Sequence, residues 1–173
     1  MIVVVGLGNI GREYENTVHN MGFKVVDKLS RQLGFTFSKE KYKSQVAEGR
    51  IKNENIIIMK PMTYMNNSGE AVALVKKKFN DARILVVVDD IDLPRGTVRY
   101  RERGSAGTHN GLRSIVSYIG QEFERVKVGV GRNENIDLAD YVLAKLNKDE
   151  LLQFEKPIDD AVKIILEHIN WNF

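Results

Sequence analysis

The stretch Ile2-Val3-Val4-Val5-Gly6-Leu7-Gly8-Asn9-Ile10-Gly11 decides the fold class. Four consecutive β-branched residues leave no polar face, which is the pattern of a strand covered on both sides. Strands of that kind belong to α/β sheets with helices packed on either face. The glycines that follow spell G-x-G-x-x-G, which after a strand reads as a dinucleotide fingerprint. That reading needs a helix opening at the glycines and an acid about 20 residues on, at the end of a second strand. Here the glycines lead into Arg12-Glu13-Tyr14-Glu15-Asn16-Thr17, which has no helical apolar stripe, and Asp27 falls inside a predicted helix. A tight strand-to-loop turn is the better account of the glycines. No cofactor is expected, and an NAD-dependent oxidoreductase stands as a rival reading.

Outward from this strand, Met21, Val25, Val26, Leu29 and Leu33 fall near helical spacing, and Gly34 supplies a C-terminal stop. Residues 45–51 and 55–60 read as a strand pair around the polar Lys52–Asn55 stretch. Residues 68–79 read as a helix, with Ser68 as its N-cap and Glu70 in its first turn. Residues 84–88 form a second fully apolar strand, and 97–103 and 125–131 alternate. Helices are expected over 111–119 and 157–169, the latter opening with Pro157. No repeat, low-complexity tract or linker interrupts the 173 residues. The expectation is one α/β domain over 1–173, three-layered, with a mixed, mostly parallel central sheet flanked by helices.

Composition narrows the class. Hydrophobic residues make up 43% and charged residues 28%, as in ordinary folded proteins. No apolar run approaches the roughly 20 residues that span a bilayer, so no membrane association is expected. The N-terminus lacks a basic leader region, and without cysteine there is neither a disulfide framework nor a thiolate metal site. A cytoplasmic, monomeric protein with no obligate protein partner is expected. The net charge is only +3, but residues 95–132 hold eight Lys/Arg against three Glu, and residues 133–173 hold four Lys against nine Asp/Glu. A local basic stretch on a near-neutral protein suits a polyanion bound at one place.

Polar clusters sit where strands or loops meet helices. Asn9, Tyr14, Asn16, His19 and Asn20 follow the first strand, and Met65-Asn66-Asn67-Ser68-Gly69 follows the strand at 55–60. Asp89-Asp90-Ile91-Asp92 follows the strand at 84–88, and His109-Asn110-Gly111 precedes a helix. Strand C-terminal ends are where open α/β sheets build their sites. Read alone, His19 could be a loop histidine bonded to backbone, and Asp90 and Asp92 turn carboxylates beside Pro94. The D-D-x-D string could also hold Mg²⁺. Met62 and Met65 are ordinary packing residues by type, and His168 is assigned no function.

Taken in order, the four motifs are specific. G-L-G-N-x-G-x-x-Y-x-x-T-x-H-N-x-G, P-x-T-Y-M-N-x-S-G, V-D-D-I-D-L-P-x-G and G-S-A-G-x-H-N-G-L resemble the bacterial-type peptidyl-tRNA hydrolase family. The resemblance implies a metal-independent esterase that cleaves the bond between an N-blocked peptide and the 3′ end of tRNA. It implies that His19 is the general base and that Asp89 orients it. It places Asn9 and Asn66 at the reacting carbonyl, and His109 and Asn110 in the same cleft. Tyr14 and Met65 match residues that contact the aminoacyl end. Arg101 and Lys127 match basic residues that hold the tRNA acceptor arm, with Arg99 and Arg103 on the same expected strand face and Arg95 and Arg132 extending the patch. A non-catalytic RNA-binding domain is the rival from another class. The sequence departs from the family at Ile10 (usually proline), Val18 (usually arginine), Thr108 (commonly glycine) and Lys127 (often arginine). These put rate and affinity in question rather than reaction type.

Overall fold

Every residue of β1 (Ile2–Gly6) is buried, as a strand with no polar face requires. The computed structural model describes residues 1–169. The chain continues through α1 (Met21–Leu33), β2 (Phe37–Lys41), β3 (Ser44–Ile51), β4 (Glu54–Pro61), α2 (Ser68–Lys78), β5 (Arg83–Asp90) and β6 (Val98–Arg101). It ends with α3 (Asn110–Ile119), β7 (Glu124–Gly129), α4 (Leu138–Val142), α5 (Lys148–Gln153) and α6 (Glu155–His168). The strands form one sheet in the order β2-β3-β4-β1-β5-β7-β6. β4, β1, β5 and β7 are mutually parallel, and β2, β3 and β6 join antiparallel at the edges. The mixed, mostly parallel three-layer α/β domain is the one expected.

The period of two along β1 divides the core. Ile2 and Val4 pack with Ile56, Ile58, Leu85 and Val87 beneath α1 and α6. Val3 and Val5 pack with Ile57, Met59, Val86 and Val88 beneath α2 and α3. Two apolar layers on one strand explain why its sequence carries no alternation. The chain leaves β1 toward the β4 side and leaves β5 toward the β7 side. The carboxyl ends of these two adjacent strands therefore form a topological switch point, where open α/β sheets place a crevice.

The glycine motif serves packing. No helix opens at Gly6–Gly11; two short 3₁₀ turns, Arg12–Tyr14 and Val18–Asn20, intervene before α1 begins at Met21. Asp27 does not end a strand; it lies in α1 and pairs with Lys60 at 2.6 Å. The helix terminus and the acid of a dinucleotide site are therefore missing from these positions. Instead α1 lies directly on the sheet. A Cβ on Gly22 would stand 2.4 Å from the Val87 carbonyl oxygen and 2.5 Å from the backbone of Leu7. α1 ends as read, with Gly34 left-handed (φ 74°) and the Phe35 N–H returning to the Ser30 carbonyl at 2.9 Å.

Three details differ from expectation. Ser68 is the first residue of α2 rather than its cap, and its hydroxyl donates to the Met65 carbonyl at 2.7 Å. The strand expected to reach 103 stops at Arg101, so Arg103 lies beyond it, 3.8 Å from Glu122. β2, α4 and α5 were not anticipated. The ring of His168 stacks flat on Tyr100, 3.6 Å between centroids, and helps dock α6 against β6.

The two structural glycines should respond differently to alanine. Gly22→Ala forces backbone apart and is expected to cost about 3 kcal/mol. Gly34→Ala meets nothing within 4 Å and should cost about 1 kcal/mol through its left-handed φ alone. Urea denaturation of both variants measures the difference, and equal losses would show that α1 is not held by that contact.

Candidate active site

The turn after β1 is built on reciprocal amide bonds. Asn20 accepts the Asn9 N–H on its Oδ1 at 2.8 Å and donates from Nδ2 to the Asn9 carbonyl at 2.9 Å. The Asn9 side chain accepts the Met65 N–H at 2.7 Å, joining this turn to the one after β4. That bond fixes Asn9 Oδ1 as the acceptor. Its Nδ2 has no partner among the described residues and remains available as a donor. Val18 is buried in the core and fixes the 3₁₀ turn that carries His19.

Asp89, at the end of β5, is 2% exposed and receives two histidines. Its Oδ2 lies 2.8 Å from His19 Nδ1 and its Oδ1 lies 2.9 Å from His109 Nε2. The hydrogen bonds assign the protons. Leu112 N–H donates to His109 Nδ1 at 3.2 Å, so His109 carries its proton on Nε2 and gives it to Asp89. His19 presents Nδ1–H to the other carboxylate oxygen, which leaves Nε2 with a free lone pair. Burial pushes the Asp89 carboxyl upward. The two imidazoles and the hydrogen bonds they donate outweigh that, and hold it well below the usual carboxylate range.

An open cleft of about 420 Å³ lies over this cluster, walled by His19, Asp89, Asp90, the loop 105–110, Lys127 and the apolar side chains of α4. The expected convergence is partial. His19, Asp89, His109, Asn110 and Lys127 share this cleft. Asn9 lines a separate pocket of about 350 Å³ with Arg12, Lys24 and Lys60. Tyr14 packs edge-on against the exposed Tyr64 at 6.5 Å. Asn66 is exposed on the 3₁₀ turn Met65–Asn67, and Met65 is itself 2% exposed, packed inward.

The basic strand does adjoin the cleft. Arg99 is opposite Lys127 in the β6–β7 register, and Arg101 is opposite Arg125, so all four leave one face of the sheet. They differ in availability. Arg99 and Arg101 are exposed, and Lys127 reaches into the cleft. Arg95 is tied to Glu150, Tyr141 and the Val130 carbonyl, which removes it from the expected patch. Arg125 is fully buried, and its guanidinium donates to the carbonyls of Phe123, Ser105 and Gln121. It anchors the loop that walls the cleft, a role that a count of charges could not reveal.

His19, Asp89 and His109 offer ligand atoms within 4.8 Å of one another and are the group here that could hold a metal. Their atoms are directed at each other across hydrogen bonds, however, and an ion would have to displace two of these. Asp90 and Asp92 do not form an oxygen cage with Asp89. Asp90 Oδ1 accepts the Asp92 N–H at 2.8 Å, and Asp92 pairs with Arg132.

A family model described as peptidyl-tRNA hydrolase matches residues 3–172. A peptidyl-tRNA hydrolase of Finegoldia magna is 46% identical over 178 residues, covering 99% of this chain and 94% of its own. One from Chloroflexus aurantiacus is 48% identical over 174 residues, covering 96% and 93%. The crystal structure of peptidyl-tRNA hydrolase from Acinetobacter baumannii matches with a TM-score of 0.89 at 36% identity, over 96% of this chain and 87% of that one. The chain belongs to the peptidyl-tRNA hydrolase family. As a family member it is a hydrolase acting on an ester bond. Two of its departures from the family pattern now have places, since Val18 lies in the core behind His19 and Thr108 is exposed on the cleft wall.

Asp89 links this site to acid stability. Its folded-state pKa lies below that of the unfolded chain, about 3.9 for aspartate. The ionised group therefore stabilises the fold above that range, and the contribution is lost as pH falls through the folded value. Asp89→Asn should lower stability at pH 7 by about 2–4 kcal/mol. The gap to wild type should narrow as pH drops below about 4. Urea denaturation at several pH values measures it, and a gap constant down to pH 3 would show that the Asp89 carboxyl is not held below its unfolded-state pKa.

Proposed function

We propose that the chain hydrolyses the ester joining an N-blocked peptide to the 3′ end of tRNA, with His19 as general base and Asp89 as the group that orients it. The observation that carries this is the hydrogen bond from His19 Nδ1 to a buried carboxylate. It leaves Nε2 facing the cleft as a proton acceptor in the neutral ring, the side chain most often used for general base catalysis. Water gives a proton to Nε2 and its oxygen attacks the ester carbonyl. Asp89 stabilises the imidazolium that forms, as in the Asp–His half of a serine triad. Collapse of the tetrahedral intermediate breaks the bond to the ribose oxygen, which takes the proton back from His19.

Asn9 and Asn66 are the proposed donors to the developing oxyanion. The pinned Oδ1 of Asn9 supports this, because it leaves Nδ2 oriented without reorganisation. Sparing aminoacyl-tRNA with a free α-amine requires reading the first peptide group, a task suited to Asn66 or Asn110. The Tyr14–Tyr64 pair and the turn at Met65 would border the aminoacyl end. Arg99, Arg101 and Lys127 would take acceptor-arm phosphates, since their face runs from the sheet edge into the cleft. The enzyme is proposed to work as a cytoplasmic monomer without a metal.

The test is release of N-acetyl-amino acid from N-acetyl-aminoacyl-tRNA in excess EDTA. Wild type should turn over and spare the free-amine substrate. His19→Ala should lose at least about 100-fold in kcat while its affinity for tRNA stays within a few-fold. Wild-type rates in His19→Ala would end the proposed mechanism. Activity silenced by chelator and restored by a divalent ion would favour a metal at His19, Asp89 and His109. Salt-sensitive tRNA binding with no hydrolysis would favour the RNA-binding module.

A further inference from the structure

We infer that Asp90 is a built-in counter-ion that limits how tightly tRNA is held, by occupying Lys127 in the free enzyme. The inference rests on the reading above that Lys127 receives a phosphate. Asp90 closes β5 one residue after the carboxylate that holds both histidines. Its Oδ2 stands 3.5 Å from the Lys127 ammonium, with the two side chains 16% and 25% exposed. Its other oxygen is engaged separately by the Asp92 N–H. Asp90 is therefore fixed by the turn and does not follow the lysine.

A carboxylate beside a cation meant for a polyanion lowers the positive potential where the phosphate must dock. The arrangement repeats one step outward, where Asp92 pairs with Arg132. The two cations of the Asp90–Asp92 segment's surroundings are each matched by an acid from that segment. Arg99 and Arg101, farther along the same sheet, have no carboxylate partner among the described residues, and Arg101 donates only to the neighbouring Tyr100 carbonyl. Cations remote from the ester chemistry are thus open, and the one inside the cleft is held in check.

Docking at Lys127 is then an exchange of one anion for another. The Asp90 attraction is given up, and the carboxylate stays beside the incoming phosphate. Exchange also blunts the dependence on salt, because a lysine that already carries its counter-charge releases fewer ions. The benefit lies in selection. Deacylated tRNA and every aminoacyl-tRNA carry the same phosphates as the substrate, so affinity for phosphate cannot discriminate among them. Restraint at Lys127 keeps those molecules from occupying the enzyme and leaves the choice to the ester end.

Asp90→Asn removes the charge and keeps an oxygen for the Asp92 N–H, and Asp90→Ser does the same with a different side chain. Hydrolysis of N-acetyl-aminoacyl-tRNA is followed across salt concentrations, with deacylated tRNA as competitor, in both variants, in Lys127→Met and in the Asp90→Asn/Lys127→Met double variant. The KM and the inhibition constant of deacylated tRNA should fall roughly 3- to 10-fold at low salt in the Asp90 variants. The slope of log KM against log salt should steepen by up to about 0.7–0.9. Both changes should vanish in the Lys127→Met background. An unchanged slope, or an effect that persists without Lys127, overturns the inference while leaving the hydrolase reading intact. A wild-type KM in Lys127→Met alone shows instead that Lys127 holds no phosphate, and removes the ground on which the inference stands.

Discussion

A carboxylate placed at the end of a central strand, 2% exposed, has to find donors from elsewhere in the chain. An unpaired ion at that depth would cost several kcal/mol. Asp89 finds its donors in His19 and His109, 70 and 20 positions away. One side chain thereby fixes the turn after β1 against the start of α3. The sheet makes the meeting short, because β1 and β5 are adjacent and parallel and both end at the same edge. The two histidines are not equivalent. His109 has both nitrogens engaged, one by Asp89 and one by the Leu112 N–H, whereas His19 keeps one nitrogen open toward the cleft.

A buried charge of the opposite sign completes the arrangement. Arg125 has no acidic partner among its hydrogen bonds; it holds three backbone carbonyls, including that of Ser105. Asp89 holds the far end of the same loop through His109. The wall of the cleft is therefore suspended between two buried ionised groups, one at residue 105 and one at residue 109. Between them Gly107 takes a left-handed φ of 57°, and its carbonyl accepts from the Arg113 guanidinium at 2.9 Å. Hydrogen bonds to charged groups are stronger than those between neutral ones, which suits them to fixing a loop whose own residues are mostly exposed.

Much of this was legible in the sequence. A strand of four β-branched residues could only be buried on both faces, and the helix at 21–33 followed from apolar spacing and a terminal glycine. The elements missed have little burial to leave a pattern. β2 reads Phe-Ser-Lys-Glu-Lys and is an exposed edge, formed because β3 offers it a partner. α4 buries no residue. α5 did carry a signal, the capping box between Asn147 and Glu150, but in a helix of six residues with no apolar stripe it is a weak one. The motifs pointed to His19, Asp89, His109 and Asn110, and these four line one cleft. The His109–Asp89 bond was not legible, since no local spacing relates a strand end to a helix cap. Charge counting treated Arg125 and Lys127 alike, although one is wholly buried and the other lines the cleft.

The sheet also acts as a ruler between the two halves of the proposed reaction. Adjacent strands lie about 4.8 Å apart, so the spacing from β5, which bears Asp89, through β7 to the edge strand β6 is set by backbone hydrogen bonds. Lys127 is on β7, next to β5, and is the cation that belongs to both the basic face and the histidine cleft. Under the proposed mechanism, the phosphates that dock on this face place the ester at a distance the sheet determines. Binding far from the bond then becomes orientation at the bond. That coupling works only if the phosphate contacts are positional rather than tight, because affinity shared equally by substrate and product raises no rate once the site is filled. Open arginines at the rim and a restrained lysine within are the distribution of charge that this requires.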